Sequence, residues 1–309
     1  MTLPDAVRRS VEIALDELGL PGSLGSATPV GGGCIHHGTR IDMDTGASFF
    51  LKWSPNVPAG MFEAEAEGLR ALREAGSVKV PEPLAWDEGS PAWFLMEYVA
   101  PGSGEVRGAA LGHGLAAIHR SGVSSNPSAS LEPAATQGSF GWSRDNWIGS
   151  LPQQNPPTAS WGAFWRDARL FPQLEACRAH GRLRDEIFDR LLDAVPAALA
   201  SVTTSALVHG DLWSGNAYTS SAGTPVLVDP AVYRGDGEVD LAMSELFGGF
   251  DPAFYRAYAA EQPVTAEYRA FKRDLYQLYY LLVHVNLFGA SYEAGARKAA
   301  EGALAGMGC

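Results

Sequence analysis

The sequence predicts an α+β fold in two lobes, a small N-terminal lobe rich in strands and a larger, mainly helical C-terminal lobe. Strand-like segments separated by turn residues are concentrated in the first third of the chain, whereas apolar residues recur at helical spacing from about residue 106 onward. Between these regions, Val99-Ala100-Pro101-Gly102 forms a short connector with breaker residues. Strands followed by helices are typical of an α+β chain. We therefore predict lobes at residues 1–98 and 99–309.

The N-terminal lobe is predicted to contain two helices and a set of strands. Apolar side chains recur at spacings of three and four in residues 4–19 and 61–73, which is the helical period. The strand segments are bounded by Gly, Pro and Asp residues, and Asp44-Thr45-Gly46 is a turn between two of them. We place the strands at residues 27–30, 36–43, 48–53, near 84, and at 93–98.

The C-terminal lobe is predicted to consist mostly of helices. A further helix opens at Asp240, whose carboxylate either caps that helix or braces the backbone of a neighbouring loop. Residues 121–160 are rich in Ser, Pro and Gly but carry tryptophans, which a disordered linker would lack. We therefore predict an ordered excursion there, and long ordered loops are often functional. The main helices are expected near residues 106–120, 161–180, 183–200 and 264–288.

The composition argues against several classes of function. With 46% hydrophobic and 19% charged residues, the chain can bury a substantial core. Its net charge of −12 disfavours a sequence-independent role on nucleic acid. Three widely spaced cysteines form neither a disulfide framework nor a metal motif. The N-terminus lacks the pattern of a signal peptide, and the longest apolar stretch is too short to span a bilayer. We expect a cytoplasmic protein that binds neither membranes nor nucleic acids.

The segment from His209 to Asn216 carries the clearest chemical signal. Asp211 and Asn216 are five residues apart, a spacing at which a carboxylate can meet a substrate hydroxyl while an amide oxygen binds a metal. Asp229 follows thirteen residues after Asn216, at the end of an apolar run. Oxygen ligands suit the hard cation Mg²⁺, and a carboxylate beside the acceptor can serve as a base. The pattern predicts phosphoryl transfer, with Asp211 as the base and Asn216 and Asp229 as the metal ligands. His209 is expected to fix the loop.

A nucleotide site is predicted in the N-terminal lobe. Gly31, Gly32 and Gly33 lie between two strands, where a glycine-rich turn can approach a polyphosphate closely, although an ordinary tight turn would look the same. Lys52 lies on the third strand, as does the phosphate-binding lysine of protein kinases; a lysine whose stem covers apolar surface is the alternative. The helix that follows offers Glu65, flanked by two other glutamates, as the partner of this lysine.

Taken together, these motifs resemble the fructosamine kinase family, a branch of the aminoglycoside-phosphotransferase-like kinases. The resemblance covers nearly the whole chain. The least common motif is Trp213-Ser214-Gly215-Asn216, together with Asp229-Pro230-Ala231 and Leu246-Phe247-Gly248-Gly249-Phe250. The other matching segments are Gly32-Gly33-Cys34-Ile35, Phe50-Leu51-Lys52, Met61-Phe62-Glu63-Ala64-Glu65-Ala66, Met96-Glu97-Tyr98, Asp145-Asn146-Trp147-Ile148-Gly149 and Glu238-Val239-Asp240-Leu241-Ala242-Met243.

The resemblance implies a two-lobed, protein-kinase-like fold with ATP between the lobes. It implies ATP-dependent phosphorylation of the sugar 3-hydroxyl in ketosamines, which destabilises the adduct and so begins deglycation. It also implies that Glu97, Tyr98 and Val99 form the hinge that reads adenine through backbone groups. The chain departs from the family pattern at Tyr233-Arg234-Gly235-Asp236-Gly237. This departure concerns the substrate side of the site rather than the reaction.

Substrate contacts and regulation follow as further hypotheses. Trp213, beside the base, is expected to pack on the sugar or amine, and Trp142 with Asn146 to close the acceptor side. Cys34 lies in the nucleotide loop, where backbone N–H groups can lower a thiol pKa. Oxidation of Cys34 would then act as a switch, with the protein a monomer or a redox-dependent homodimer; a small residue that fits a turn is the alternative.

Two other functions remain open from the sequence. The first is a kinase for another small hydroxyl acceptor, such as an aminoglycoside or an amino alcohol, which an acidic pocket would attract. The second is a redox-regulated, nucleotide-binding pseudokinase. A pseudokinase predicts loss of at least one of four polar residues, and all four are present, namely Lys52, Asp211, Asn216 and Asp229. The identity of the sugar is not determined by these motifs.

Overall fold

A computed structural model describes residues 3–20, 22–31, 36–76, 78–102, 108–121 and 140–308. The N-terminal lobe is built on a sheet of antiparallel strands in the order β1-β2-β3-β5-β4. Successive side chains of each strand point to opposite faces of the sheet, and a helix packs on each face. Their bounds are β1 (Leu24–Pro29), β2 (His37–Met43), β3 (Ser48–Ser54), β4 (Pro83–Asp87) and β5 (Ala92–Glu97).

The two helices of this lobe lie on opposite faces of the sheet. Helix α1 (Asp5–Glu17) packs its buried valines and leucine with Leu51 of β3, whereas α2 (Met61–Glu74) packs Phe62 with Phe94 of β5. Lys52 is paired with Phe94 across β3 and β5, and so it projects to the face covered by α2. The two-residue period of the strand therefore turns the lysine towards the helix that carries the candidate glutamates.

The C-terminal lobe is helical around a buried central helix, α9. The helix is apolar around most of its circumference, as expected for a helix enclosed by others. A π-helical segment, Trp165–Leu170, joins α4 to α5, and a second one, Tyr268–Lys272, leads into α9. The helices are α3 (Gly108–Ser121), α4 (Trp161–Phe164), α5 (Phe171–Ala179), α6 (Glu186–Ala198), α7 (Glu238–Leu246), α8 (Pro252–Glu261), α9 (Arg273–Phe288) and α10 (Glu293–Met307).

Short antiparallel strand pairs in this lobe carry the catalytic segment. β8 pairs with β11, and β9 pairs with β10, so the loops that follow β8 and β10 come to lie side by side. A 3₁₀ turn, Ser214–Asn216, connects the loop after β8 to β9. A third pair, β6 with β7, forms a hairpin in the excursion before α4. The bounds are β6 (Asn146–Ile148), β7 (Leu151–Gln153), β8 (Ala206–Val208), β9 (Ala217–Thr219), β10 (Pro225–Leu227) and β11 (Tyr233–Gly235).

The structure confirms the predicted α+β fold with a strand-rich lobe followed by a helical lobe. The helices α8 and α10 were not predicted; α10 buries mainly small alanines, which give a weak apolar period. The three-residue strands of the second lobe were also not predicted, because they are too short to show alternation. The predicted excursion is ordered from residue 140 onward, and residues 122–139 lie outside the described part. The boundary at residue 98 stays a prediction. Among the described residues, no helix is long and apolar enough to cross a membrane.

Candidate active site

A cleft of about 480 Å³ lies between the strand-rich lobe and the helical lobe. It receives side chains from the sheet, from α2, and from the loops after β8 and β10. Most of the residues proposed from the sequence line this cleft, although they come from distant parts of the chain. They are Gly31, Lys52, Glu65, Glu97, Tyr98, Val99, Asn146, Asp211, Trp213, Asn216 and Asp229.

The loop after β8 is braced by the buried carboxylate of Asp240, in the first turn of α7. The backbone N–H of His209 donates to Asp240 Oδ2 at 2.7 Å, and that of Gly210 donates to Oδ1 at 2.9 Å. His119 Nε2 lies 3.1 Å from the same Oδ2 and Tyr258 OH lies 2.8 Å from His119 Nδ1. Of the two roles considered for Asp240, the geometry gives it the brace, because the carboxylate is directed at another loop.

Two glycines in the motif are required by close packing. Gly210 has φ +80°, and a Cβ there would lie 2.1 Å from the carbonyl oxygen of Ala231. Its own carbonyl accepts from the hydroxyl of Tyr280 at 2.7 Å. A Cβ on Gly215 would lie 2.4 Å from the ring of Trp213, which folds over that residue. The motif is therefore partly a packing requirement, and only glycine permits both contacts.

Asp211 and Asn216 meet at the floor of the cleft. The Asn216 amide nitrogen donates to the backbone oxygen of Asp211 at 2.9 Å and to its carboxylate Oδ2 at 3.1 Å. Burial, aided by the negative charge of Asp229, raises the pKa of Asp211 to about 7, against the opposing effect of the Asn216 hydrogen bond. A pKa near neutrality is the range in which a carboxylate works best as a general base. The arrangement can therefore take a proton from a hydroxyl beside Asp211.

Lys52 joins the two lobes through a pair of carboxylates. Its Nζ lies 2.5 Å from Glu65 Oε1 on α2 and 2.6 Å from Asp229 Oδ1 after β10. Burial opposes the charge of Lys52, but Asp229 and Glu65 together raise its pKa. Burial likewise disfavours the charge of Asp229, yet Lys52 outweighs it and lowers the pKa of that carboxyl, whereas burial dominates at Glu65 and raises its pKa. The cluster thus keeps an ionised Asp229 facing the cleft.

Asp229 adopts a backbone conformation that is rare outside glycine, with φ +55°. Such a position costs of order 1–3 kcal/mol and is found most often at functional sites. His209 supports it from behind, because Nε2–H of His209 donates to the carbonyl of Val228 at 3.0 Å. The other ring nitrogen accepts from the N–H of Asp211 at 3.3 Å, and burial lowers the pKa of His209. A neutral His209 therefore links the base-bearing loop to the Asp229 turn.

The predicted hinge lies at the back of the cleft. The carboxylate of Glu97 lies 2.5 Å from Lys79 Nζ. The side chain of Glu97 is therefore paired with this lysine, away from the position predicted for adenine. The Tyr98 ring lies against the guanidinium of Arg40, 4.7 Å from ring centroid to Cζ. The carbonyl of Val99 accepts from the hydroxyl of Tyr218 at 2.9 Å. These contacts hold the segment in place, and its reading of adenine through backbone groups stays a prediction.

The hairpin β6–β7 lines the side of the cleft that was predicted to receive the acceptor. Asn146 is buried and its amide donates to the carbonyl of Val232 at 2.8 Å, so it fixes the hairpin to the strand after Asp229. Trp142 is half-buried and packs against the core, while Trp147 lines the cleft with Trp213. From the sequence, Trp142 was predicted to lie on this side of the cleft. The motif around Asn146 carried the signal for Trp147, since the two are adjacent in one strand.

The predicted glycine-rich loop lies mostly outside the described residues. Gly31 lines the cleft, but Gly32, Gly33 and Cys34 are not among the residues described. The redox role of Cys34 and the oligomeric state therefore stay predictions. His36, which was left unassigned, also lines the cleft; burial, with the charge of Lys52, lowers its pKa to about 4.

The interlobe cleft contains a buried lysine–glutamate pair and a braced aspartate, with Asn216 and Asp229 beside them. These features define the class: the chain is a two-lobed, kinase-like phosphotransferase. The model of the fructosamine kinase family matches residues 10–305. The chain belongs to the fructosamine kinase family. This confirms the resemblance inferred from the motifs, including the kinase-like fold.

Individual relatives agree with this placement. The chain is 38% identical over 291 residues to a probable ketoamine kinase of Synechocystis, covering 91% of this chain and 90% of the relative. It is 36% identical to the chloroplastic protein-ribulosamine 3-kinase of Arabidopsis thaliana, over 86% of this chain and 79% of that protein. A solved structure from Thermobifida fusca that carries the provisional name fructosamine-3-kinase superposes with TM-score 0.81 at 32% identity, over 96% of this chain and 99% of that one.

Proposed function

We propose that this protein transfers a phosphoryl group from ATP to the 3-hydroxyl of a ketosamine, the adduct of a ketose with an amine. One observation carries the proposal. In the cleft, Asp211 has a pKa raised to about 7 and lies next to Asn216 and Asp229, with Lys52 held against Asp229. Family membership supports the ketosamine as acceptor, because relatives bear the names ketoamine kinase and ribulosamine 3-kinase.

The donor set on the catalytic side fits Mg²⁺. Asn216 directs its amide nitrogen towards Asp211, so its amide oxygen is the atom left to bind a cation. Asp229 supplies a carboxylate kept ionised by Lys52. Carboxylate and amide oxygens are ligands that a hard cation prefers. When bound, Mg²⁺ would offset the negative charge of the nucleotide phosphates.

The protein groups then divide the work of the reaction. Asp211 accepts the proton of the acceptor hydroxyl or orients its oxygen towards the phosphorus. Lys52, released from Asp229 by the arriving nucleotide, binds phosphate oxygens while Glu65 keeps it in place. The asparagine bond to Asp211 fixes the direction of the carboxylate, which favours the in-line geometry that phosphoryl transfer needs.

The proposed acceptor side offers aromatic surface that suits a sugar ring. Trp213 and Trp147 line the cleft there, and the apolar face of a sugar ring packs well on an indole. The ring of Trp213 is fixed from below by Gly215 and lies edge-on to Phe247, with 6.5 Å between centroids. A rigid aromatic wall orients an acceptor without a large entropic cost. An aminoglycoside or an amino alcohol remains the second candidate acceptor.

The test is turnover with Mg-ATP against fructosyl-lysine, ribulosyl-lysine and a panel of aminoglycosides, with the position of the phosphate read by NMR. We expect phosphorylation of one or both ketosamines at the 3-hydroxyl. Preference between the two adducts identifies the sugar. Phosphorylation of aminoglycosides alone would show that the acceptor assignment is incorrect, and no turnover with intact nucleotide binding would favour the pseudokinase.

A further inference from the structure

Helix α2 presents Glu65 to Lys52, and the position of this helix therefore determines the lysine–glutamate pair. One end is fixed within the N-terminal lobe. The carboxylate of Glu88 accepts from the N–H groups of Gly60, Phe62 and Glu63, with the last two at 2.8 and 3.2 Å. This interaction satisfies the free donors at the helix N-terminus.

The exposed flank of α2 is held by Arg144, which lies in the other lobe just before β6. Arg144 Nη1 lies 2.7 Å from Glu63 Oε2 and 3.2 Å from Glu67 Oε1. These glutamates are four residues apart on the helix, and Glu65 lies between them in sequence and faces Lys52. Arg144 thus contacts the helix at two positions one turn apart, one before and one after Glu65 in the sequence.

A glycine lies beneath this contact, and its positive φ, rather than the nearby tip of the arginine, favours glycine there. Gly60 precedes α2 with φ +80°, and a Cβ there would lie 2.8 Å from Arg144 Nη2 and 3.6 Å from the ring of Trp147. Trp147 is the same residue that lines the acceptor side of the cleft. The start of α2 is therefore in contact with the hairpin that receives the acceptor.

Arg144 is anchored in turn to the core of the helical lobe. Its carbonyl accepts from the Asn155 side chain at 3.1 Å, and Asn155 Oδ1 accepts from Arg169 at 2.7 Å. Arg169 is fully buried and stacks on Tyr233 of β11 at 4.0 Å. The backbone of the arginine that holds α2 is therefore fixed to a buried polar network, while its guanidinium and the two glutamates are partly exposed.

We propose that Arg144 is a positioning residue that acts through α2, coupling the acceptor-side hairpin to the Lys52–Glu65 pair. An acceptor bound against the hairpin then favours the position of α2 that presents Glu65 to Lys52, and nucleotide binding in turn favours acceptor binding, since such coupling is reciprocal. The proposal rests on the proposed kinase function, because it assigns these groups to the two substrates of that reaction.

Arg178 provides a matched control. It also joins two helices through two carboxylates, with Nη1 3.3 Å from Glu175 and Nη2 2.7 Å from Asp189. Its side chain is 22% exposed, against 32% for Arg144. Neither helix of the control pair carries a residue of the cleft. A loss that is only structural should therefore affect the two positions alike.

The first measurement is the Kd for AMP-PNP with Mg²⁺, by calorimetry and without any acceptor. Arg144→Gln, which removes the charge and shortens the side chain but keeps it polar, is expected to raise this Kd about fivefold. Arg178→Gln should leave it unchanged, with a similar change in Tm. Arg144→Lys keeps the charge and should recover most of the affinity. Equal Kd values for the two glutamine variants would overturn the proposal.

The second measurement separates action through Glu65 from a general weakening. Glu65→Gln alone should raise the Kd, and adding Arg144→Gln to it should raise it little further, because the pathway is already broken. Additive effects would mean that Arg144 does not act through Glu65. Since the readout needs no acceptor, failure of ketosamine turnover would count against the proposed function and leave this test valid.

Discussion

The catalytic loop and the nucleotide lysine share one cleft, yet the fold holds them by different means. The loop that carries Asp211 is fixed at its backbone by groups of a single lobe. Asp240 accepts two of its N–H groups, and Tyr280 donates to the carbonyl of Gly210. All of these partners are buried, so the loop geometry is set before any ligand arrives.

The lysine is held by side-chain charges from three elements and both lobes. Lys52 lies on β3, Glu65 on α2, and Asp229 after β10. In this arrangement Lys52 contacts one oxygen of the carboxylate proposed to bind Mg²⁺, and on our proposal the lysine exchanges that oxygen for phosphate when nucleotide binds. The comparison indicates that the acceptor base is preorganised, which favours catalysis, whereas the phosphate-binding groups are exchangeable.

Removing the base should give the largest effect on the preorganised side. Asp211→Asn retains the shape of the side chain but cannot take a proton, so kcat should fall by about 10²–10⁴-fold. The Kd for AMP-PNP should change little, because Lys52 and Glu65 remain. Turnover assays give kcat, and calorimetry gives the Kd for AMP-PNP.

The matched control is Asp16→Asn, an exposed aspartate on α1, which should alter neither quantity. Turnover of Asp211→Asn equal to that of the unmodified protein would remove Asp211 from the role of base. A large rise in Kd would instead show that the two regions are not independent.

Removing the brace should give the next largest effect, on stability and on turnover together. Asp240→Ala leaves the N–H groups of His209 and Gly210 buried without an acceptor, at roughly 1–3 kcal/mol for each. Urea unfolding should report the loss, and kcat should fall with it as the loop relaxes. Asp251→Ala removes an ordinary helix cap, whose side chain accepts from Ala253 N–H at 2.6 Å, and should cost only about 1 kcal/mol. Similar losses of stability for the two variants would mean that Asp240 acts only as a helix cap.

The sequence predicted the parts of the site that depend on local spacing. Asp211 and Asn216 belong to one short loop, so their contact follows from the five-residue interval. Lys52 was found from its place on the third strand, because the alternation of the strand determines which face it occupies. The separation into a strand-rich and a helical lobe was also visible in the hydrophobic periods.

Other parts depend on tertiary packing that no local pattern contains. The role of Asp240 was left between two alternatives, since only the fold brings α7 under the loop after β8. The pairing of Arg144 with α2 crosses between lobes and had no signal in the sequence. Trp142 and Trp147 are five residues apart in the sequence, and the short hairpin β6–β7, which was not predicted, decides that Trp147 lines the cleft.

The last prediction is a pH-dependent difference in stability, and it measures how much stability preorganisation costs the free protein. The pKa of Asp211 is raised to about 7 in the folded state, from 3.8 when unperturbed, because the carboxyl is buried near Asp229. Between these pH values the folded protein binds more protons at this position than the unfolded chain, so the contribution of Asp211 to stability falls as pH rises and is lowest above pH 7. Asn cannot ionise, and the Tm of Asp211→Asn minus that of the unmodified protein should therefore increase from pH 4 to pH 7 and then level off. Scanning calorimetry in ligand-free buffer gives this difference, with Asp16→Asn as a variant that should show none. A difference that is flat across this range would mean that Asp211 ionises as freely as an exposed aspartate, and the loop would then be no more preorganised than the lysine cluster.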